Sequence, residues 1–153
     1  MIGLKLRAVD AYPRPLSFTV RGHGRTGGNL KRYDPNRAPE PEEWLELDEQ
    51  ERIALVEGFH RKVHEPAQTL KAHAIVHATV ETQLALNDPP SAREALTRLV
   101  GEGLDRHEAI HAIGSILAEH LFEDFRSSGA KDTSNDAYAR ALSRLTAASW
   151  RAF

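Results

Sequence analysis

From about residue 42 onward, apolar side chains recur at three- and four-residue intervals, the period of a helix that buries one face. A first turn covers Glu42 to Leu47. Asp48-Glu49-Gln50-Glu51 then has the form of a capping box and predicts a helix running to about His64, with Ile53, Val56, Phe59 and Val63 as its apolar stripe. Pro66 interrupts, and a second helix is expected from about Ala67 to Leu86, ended by Asn87-Asp88-Pro89-Pro90. Ser91-Ala92-Arg93-Glu94 reads as another capping box, opening a short helix to about Val100 that Gly101 and Gly103 break. Asp105-Arg106-His107-Glu108 opens the longest helix, to about Phe125, and Ser127-Ser128-Gly129 closes it. A fifth begins near Ser134 and carries Tyr138, Leu142, Leu145 and Ser149 on one face.

The first 40 residues follow a different rule. Leu16-Ser17-Phe18-Thr19-Val20 alternates like a strand, between Pro13, Pro15, Pro35 and Pro39. The expected fold class is all-α: a helical bundle of about five helices over residues 41–153, with an extended, partly β-like basic N-terminal arm over residues 1–40. Short connections favour neighbouring, mostly antiparallel helices.

Composition narrows the chemistry. The chain has 153 residues, 41% of them hydrophobic and 27% charged, which is globular and suits one domain. No apolar run approaches the ~20 residues that span a bilayer, and Met1 to Arg7 is too short and too charged for a secretory signal. No membrane association and a cytoplasmic location are the expectations. The absence of cysteine removes disulfides, thiolate-held zinc, iron–sulfur clusters and thiol catalysis. Any bound metal must be held by imidazole and carboxylate, which suits zinc, iron, manganese or copper.

The net charge of −2 is unevenly spread. Residues 1–37 carry eight Lys/Arg against Asp10 and Asp34, a net of +6 that leaves −8 for the rest. Such an arm suits the acidic surface of its own or a neighbouring subunit, in a homo-oligomer, better than nucleic acid, because no pattern of stacking aromatics accompanies the charge.

Four of the eight histidines are placed in phase. His73, His77 and Glu81 recur every four residues, so they climb one face of the 67–86 helix with a drift of about 40° per step. That face also holds Leu70, Ala74, Val80 and Leu84, and must turn inward. The 105–125 helix repeats the device with His107 and His111, in the sector of Ile110, Gly114, Leu117, Ala118 and Leu121. Gly114 would let a neighbouring helix approach closely. If the two helices touch, four imidazoles and Glu81 meet in the core, where nitrogen–oxygen ligation of zinc, non-haem iron or manganese would satisfy them. A lone core histidine usually just finds a hydrogen-bond partner, and two histidines can also grip a haem or another cofactor. Two inward i, i+4 pairs, one extended by a carboxylate, favour the metal.

His107-Glu108-Ala109-Ile110-His111 also fits the HExxH pattern of zinc hydrolases, in which the Glu is the general base. Leu117 stands where a metzincin would place its third histidine, and Glu119 lies about 80° round the helix from His111. Glu108 also occupies the N3 position of the box begun by Asp105, so capping and catalysis both account for it. Its ExxH spacing resembles half of a di-iron carboxylate site, which needs two such motifs and two further carboxylates. His60 and His64 form a third i, i+4 pair, explained by the favourable placing of cations at a helix C-terminus. His120 reads as structural and His23 lies in the arm. Gly22-His23-Gly24-Arg25-Thr26-Gly27-Gly28 fits GxGxxG but opens no helix, so a flexible Gly-Arg loop is the better reading.

The segments His73 to Gln83 and Arg106 to Leu121, with Arg144-Leu145-Thr146-Ala147, resemble an uncharacterised bacterial family known only as a domain of unknown function, over roughly residues 40–150. The resemblance implies a bacterial, intracellular origin and supplies no reaction. The leading expectation is a metal-binding helical protein, a metalloenzyme whose His/Glu site lies between two helices. The ligands are His73, His77, Glu81, His107 and His111, with Glu81 either a ligand or the partner that orients an imidazole. Glu108 is the acid/base acting on a small-molecule substrate. Zinc would support hydrolysis; iron or manganese would support redox or oxygen chemistry. The alternative is a non-catalytic binding or assembly module whose basic arm grips an acidic partner.

Overall fold

The computed structural model describes residues 30–61, 67–126 and 135–152. Among them are seven helices and no strand: α1 (Pro41–Glu46), α2 (Glu49–His60), α3 (Ala67–Leu86), α4 (Pro90–Gly101), α5 (Arg106–Arg126), α6 (Asn135–Arg144) and α7 (Ala147–Arg151). The all-α expectation holds. The strand-like segment at Leu16–Val20 and the glycine loop at residues 22–28 lie outside the described residues, as does Val63.

Helix ends are set by local chemistry. Asp48 accepts from the Glu51 amide at 2.8 Å while Glu51 accepts from the Asp48 amide at 2.9 Å, the reciprocal box expected there. The box expected at Ser91 is absent. Pro89 is the N-cap and Pro90 the first helical residue, a position where a missing N–H costs nothing. After α3, Asn87 takes φ +53°, and the Asp88 and Asn87 amides return to the Gln83 and Leu84 carbonyls, the two bonds of a Schellman turn. Gly103, at φ +94°, does the same for α4, with Leu104 and Gly103 bonding back to Leu99 and Val100. The fifth expected helix is two. Thr146 and Ser149 form a capping box that stops α6 and starts α7, a signal hidden because serine replaces the usual Glu or Gln at its fourth position.

α3 is the central element, packed against α1, α2, α4 and α5. Its apolar positions accordingly serve two separate cores. Ala74 and Ala78 join Tyr33, Trp44, Leu47, Ile53, Leu55 and Val56 in one. Val80 and Leu84 join Leu99, Leu104, Ile110, Ile113, Leu117 and Leu142 in the other. At ~25 cal/mol per Å² of apolar surface, these two clusters supply the main driving force for folding. The α3–α5 contact is tight at Gly114, where a Cβ would come 3.0 Å from Val76 Cγ1, as the glycine's position predicts. The apolar stripe of α5 ends earlier than expected. Leu121 is 52% exposed, because the last turns of α5 extend past the core that closes around Leu117.

Candidate metal centre

The order of side-chain pairs between α3 and α5 is that of antiparallel neighbours: Glu81 meets Arg106, His77 lies by His107, and His73 by His111. The last turn of α2 brings in a further imidazole, His60. Its ring centroid lies 4.4 Å from that of His73, 5.0 Å from His77, 5.1 Å from His107 and 6.0 Å from His111. All five rings are buried. One nitrogen from each of His60, His77, His107 and His111 lies within 4.8 Å of the others, a group that could hold a metal ion. A tetrahedral zinc site needs donor separations of roughly 3.4 Å, within reach of small side-chain adjustments.

Hydrogen bonds fix which nitrogens face inward. His60 Nδ1 lies 2.9 Å from the Val56 carbonyl, which can only accept, so Nδ1 carries the proton. Its Nε2 is then a lone pair, 3.0 Å from His107 Nε2, and two nitrogens that close require a proton or a cation between them. The Tyr33 hydroxyl donates to Glu81 Oε1 at 2.6 Å, leaving its oxygen to accept from His77 Nδ1 at 3.4 Å. That arrangement turns the His77 Nε2 lone pair into the cluster. His77 Nε2, His111 Nε2 and both ring nitrogens of His73 are buried with no hydrogen-bond partner. Four such atoms in one core are exceptional, since an unsatisfied buried polar group costs about 1–3 kcal/mol.

Electrostatics keeps the rings in the ligating form. Burial, and then the neighbouring His73, push His60 down to about 4; burial alone pushes His73 to about 4. Burial, with the surrounding imidazoles adding to it, takes His107 to about 3 and holds His77 and His111 well below the usual histidine range. All five are neutral at pH 7, the state that offers a lone pair to a metal.

The two expected carboxylates stand elsewhere. Two steps of about 40° carry Glu81 ~80° from His73 and ~12 Å along the axis, out of the imidazole cluster. There both of its oxygens are taken by the Arg106 guanidinium, at 2.8 and 2.7 Å, with Tyr33 on one of them. Glu81 therefore reaches the cluster only through Tyr33 and His77 and is not a member of the four-nitrogen group. Glu108 is half-buried in the first turn of α5, where its amide donates to Asp105 Oδ1 at 2.8 Å.

Residues 40–144 match the family described as Domain of unknown function (DUF1841). The chain belongs to that family. No curated protein and no solved structure matches it. The resemblance to an uncharacterised domain family is thus confirmed. All five clustered histidines, Glu81 and Arg106 fall inside the DUF1841 match, while Tyr33 precedes it.

Three participants escape a reading based on helical phase alone. His60 fits a cation at a helix end, yet it stands four residues after Val56 and seven after Ile53, on the same inward stripe. That spacing was the available signal. Arg106 sits beside His107 in a capping segment, and Tyr33 precedes the first helix, where periodicity says nothing. His120 stacks on Tyr138, 5.5 Å between centroids, away from the cluster.

Proposed function

We propose that this DUF1841 protein binds a transition-metal ion through His60, His77, His107 and His111, with the Glu81–Tyr33 pair orienting His77. The observation that carries this reading is the convergence of one nitrogen from each of four buried histidines, of which His77 Nε2 and His111 Nε2 have no hydrogen-bond partner. A histidine-only donor set favours zinc, copper or iron over manganese, magnesium or calcium, which prefer carboxylate and carbonyl oxygen. The reaction class follows from the ion. Zinc that kept a further coordination position open would supply hydrolysis through a bound water of lowered pKa, and iron or copper would supply redox chemistry. In the zinc case Glu108, next to His107 at the half-buried N-terminus of α5, is the acid/base of the HExxH pattern.

The test is elemental analysis of purified wild-type protein beside His77→Ala/His111→Ala and Glu108→Gln variants. Wild type and Glu108→Gln should carry about one equivalent of the same metal, and the double-histidine variant should carry none. Chelation should lower the wild-type melting temperature, because binding free energy is folding free energy. If wild type holds no stoichiometric metal and chelation leaves its melting temperature unchanged, the proposal fails.

A further inference from the structure

The last turns of α5, beyond the core that closes around Leu117, carry three large apolar side chains in the open: Leu121 at 52%, Phe122 at 61% and Phe125 at 88% exposure. At 3.6 residues per turn they lie within an arc of about 100°, with the half-buried Ala118 inside it. A single exposed apolar side chain needs no explanation, but a continuous stripe of them does. Since a buried aromatic contributes ~150–250 Å², the stripe offers roughly 400 Å² to a partner. Covered twice, once from each copy of a symmetric pair, it reaches the size of a weak but specific association, which buries somewhat under ~1,200 Å² in all.

Charge at the edge of the stripe says which partner fits. Glu119 and Arg126 are both exposed and seven residues apart, so they stand about 20° apart round the helix, on the same edge. Arg126 Cζ lies 5.7 Å from the centroid of the Phe122 ring, which puts the guanidinium beside the stripe. When two copies of a helix pair antiparallel about a two-fold axis, like edges face each other with the order of residues reversed. An axis crossing α5 between Phe122 and Glu123 therefore sets Glu119 of each copy opposite Arg126 of the other. The same edge supplies both signs in the right order. In a parallel pair each edge meets the other edge of its partner, and this match is lost.

We propose that the exposed end of α5 is a self-association surface, on which a second copy of this chain packs its own α5 antiparallel, with Phe122 and Phe125 as the apolar anchors and Glu119–Arg126 pairs setting the register. The anchors supply the affinity, because exposed ion pairs add little beyond orientation. The inference is independent of the metal.

The experiment is sedimentation velocity of the full chain at low salt, over protein concentrations from about 1 to 500 μM. Wild type should pass from monomer to dimer within that range. Phe122→Ser/Phe125→Ser should weaken the dimer at least about tenfold, with helical circular dichroism and the melting temperature of the dilute monomer unchanged. Arg126→Glu should weaken it about threefold, and Glu119→Arg/Arg126→Glu, which exchanges the two signs, should restore it. A wild type that stays monomeric at every concentration overturns the proposal, as does a dimer indifferent to the two serines. A dimer that needs the phenylalanines but is not restored by the exchanged charges overturns the antiparallel pairing. A monomer whose melting temperature falls on the double serine substitution would mean that the stripe is covered from within the chain, which overturns the proposal as well.

Discussion

Two buried polar clusters sit side by side where α3 meets α5. In one, Glu81 gives both oxygens to Arg106, Tyr33 donates to Glu81, and Arg106 uses a further N–H on the Pro35 carbonyl at 2.7 Å. In the other, five imidazoles face one another, and four of their nitrogens have no partner. Both clusters are largely buried, and His77 links them. Burial therefore does not distinguish them; the count of donors against acceptors does. The first cluster is complete as a protein structure. The second leaves four buried nitrogens unmatched, and an ion that accepts lone pairs would complete it.

The largest separation between the clusters should appear in acid. The unfolded chain protonates its histidines near pH 6.5, whereas folding delays this to about 4 for His60 and His73 and about 3 for His107. Between those values unfolding takes up protons, so the metal-free protein loses stability steadily as pH falls below about 6.5. Several such groups acting together are enough to exhaust an ordinary domain stability of ~5–15 kcal/mol. Circular dichroism of chelated protein should show cooperative loss of helix between pH 6 and 4, with the midpoint moved to lower pH by excess zinc. A metal-free protein still folded at pH 4 would show that the imidazoles are paired or hydrated in solution.

Next in size is the removal of one partner from the complete cluster. Arg106→Ala leaves Glu81, 1% exposed, as an uncompensated charge beneath Tyr33. Stability should fall by about 3–5 kcal/mol, read from denaturant midpoints at unchanged slope. The loss should be similar with and without metal, apart from a weaker hold on His77. A loss seen only in the metal-loaded protein would place Glu81 at the ion and erase the contrast between the clusters.

How far this contrast can be read from sequence depends on which side of it a residue stands. The imidazole cluster is largely legible, because His73, His77, His107 and His111 repeat at the helical period on faces that apolar neighbours mark as inward. Their meeting depends on α3 and α5 being adjacent, which periodicity does not state and Gly114 only suggests. The complete cluster is not legible. Its members come from a segment before α1, the third turn of α3 after His73, and the cap of α5, and no local pattern links a tyrosine at 33 to an arginine at 106. Glu81 shows the cost of extending a phase argument too far. A drift of about 40° per step is harmless over one turn, and over two it moved a carboxylate from one cluster to the other.

The smallest effect has the most telling sign. His111→Leu replaces a buried imidazole whose Nε2 has no partner by an apolar side chain of similar size, next to Ile110, Ala112 and Ile113. Most core substitutions destabilise, but this one removes an unsatisfied polar atom, so the metal-free variant should be more stable than metal-free wild type by about 1–3 kcal/mol. The same substitution deletes one of the four converging nitrogens, and added zinc should then stabilise the variant far less than the ~2.7 kcal/mol that a ligand at a hundred times its dissociation constant gives wild type. Thermal melts of both proteins, chelated and zinc-saturated, therefore cross over: the variant melts higher without metal and wild type melts higher with it. A variant less stable than wild type under both conditions would mean that His111 already has its partner within the protein, and that the second cluster is a hydrogen-bonded core like the first.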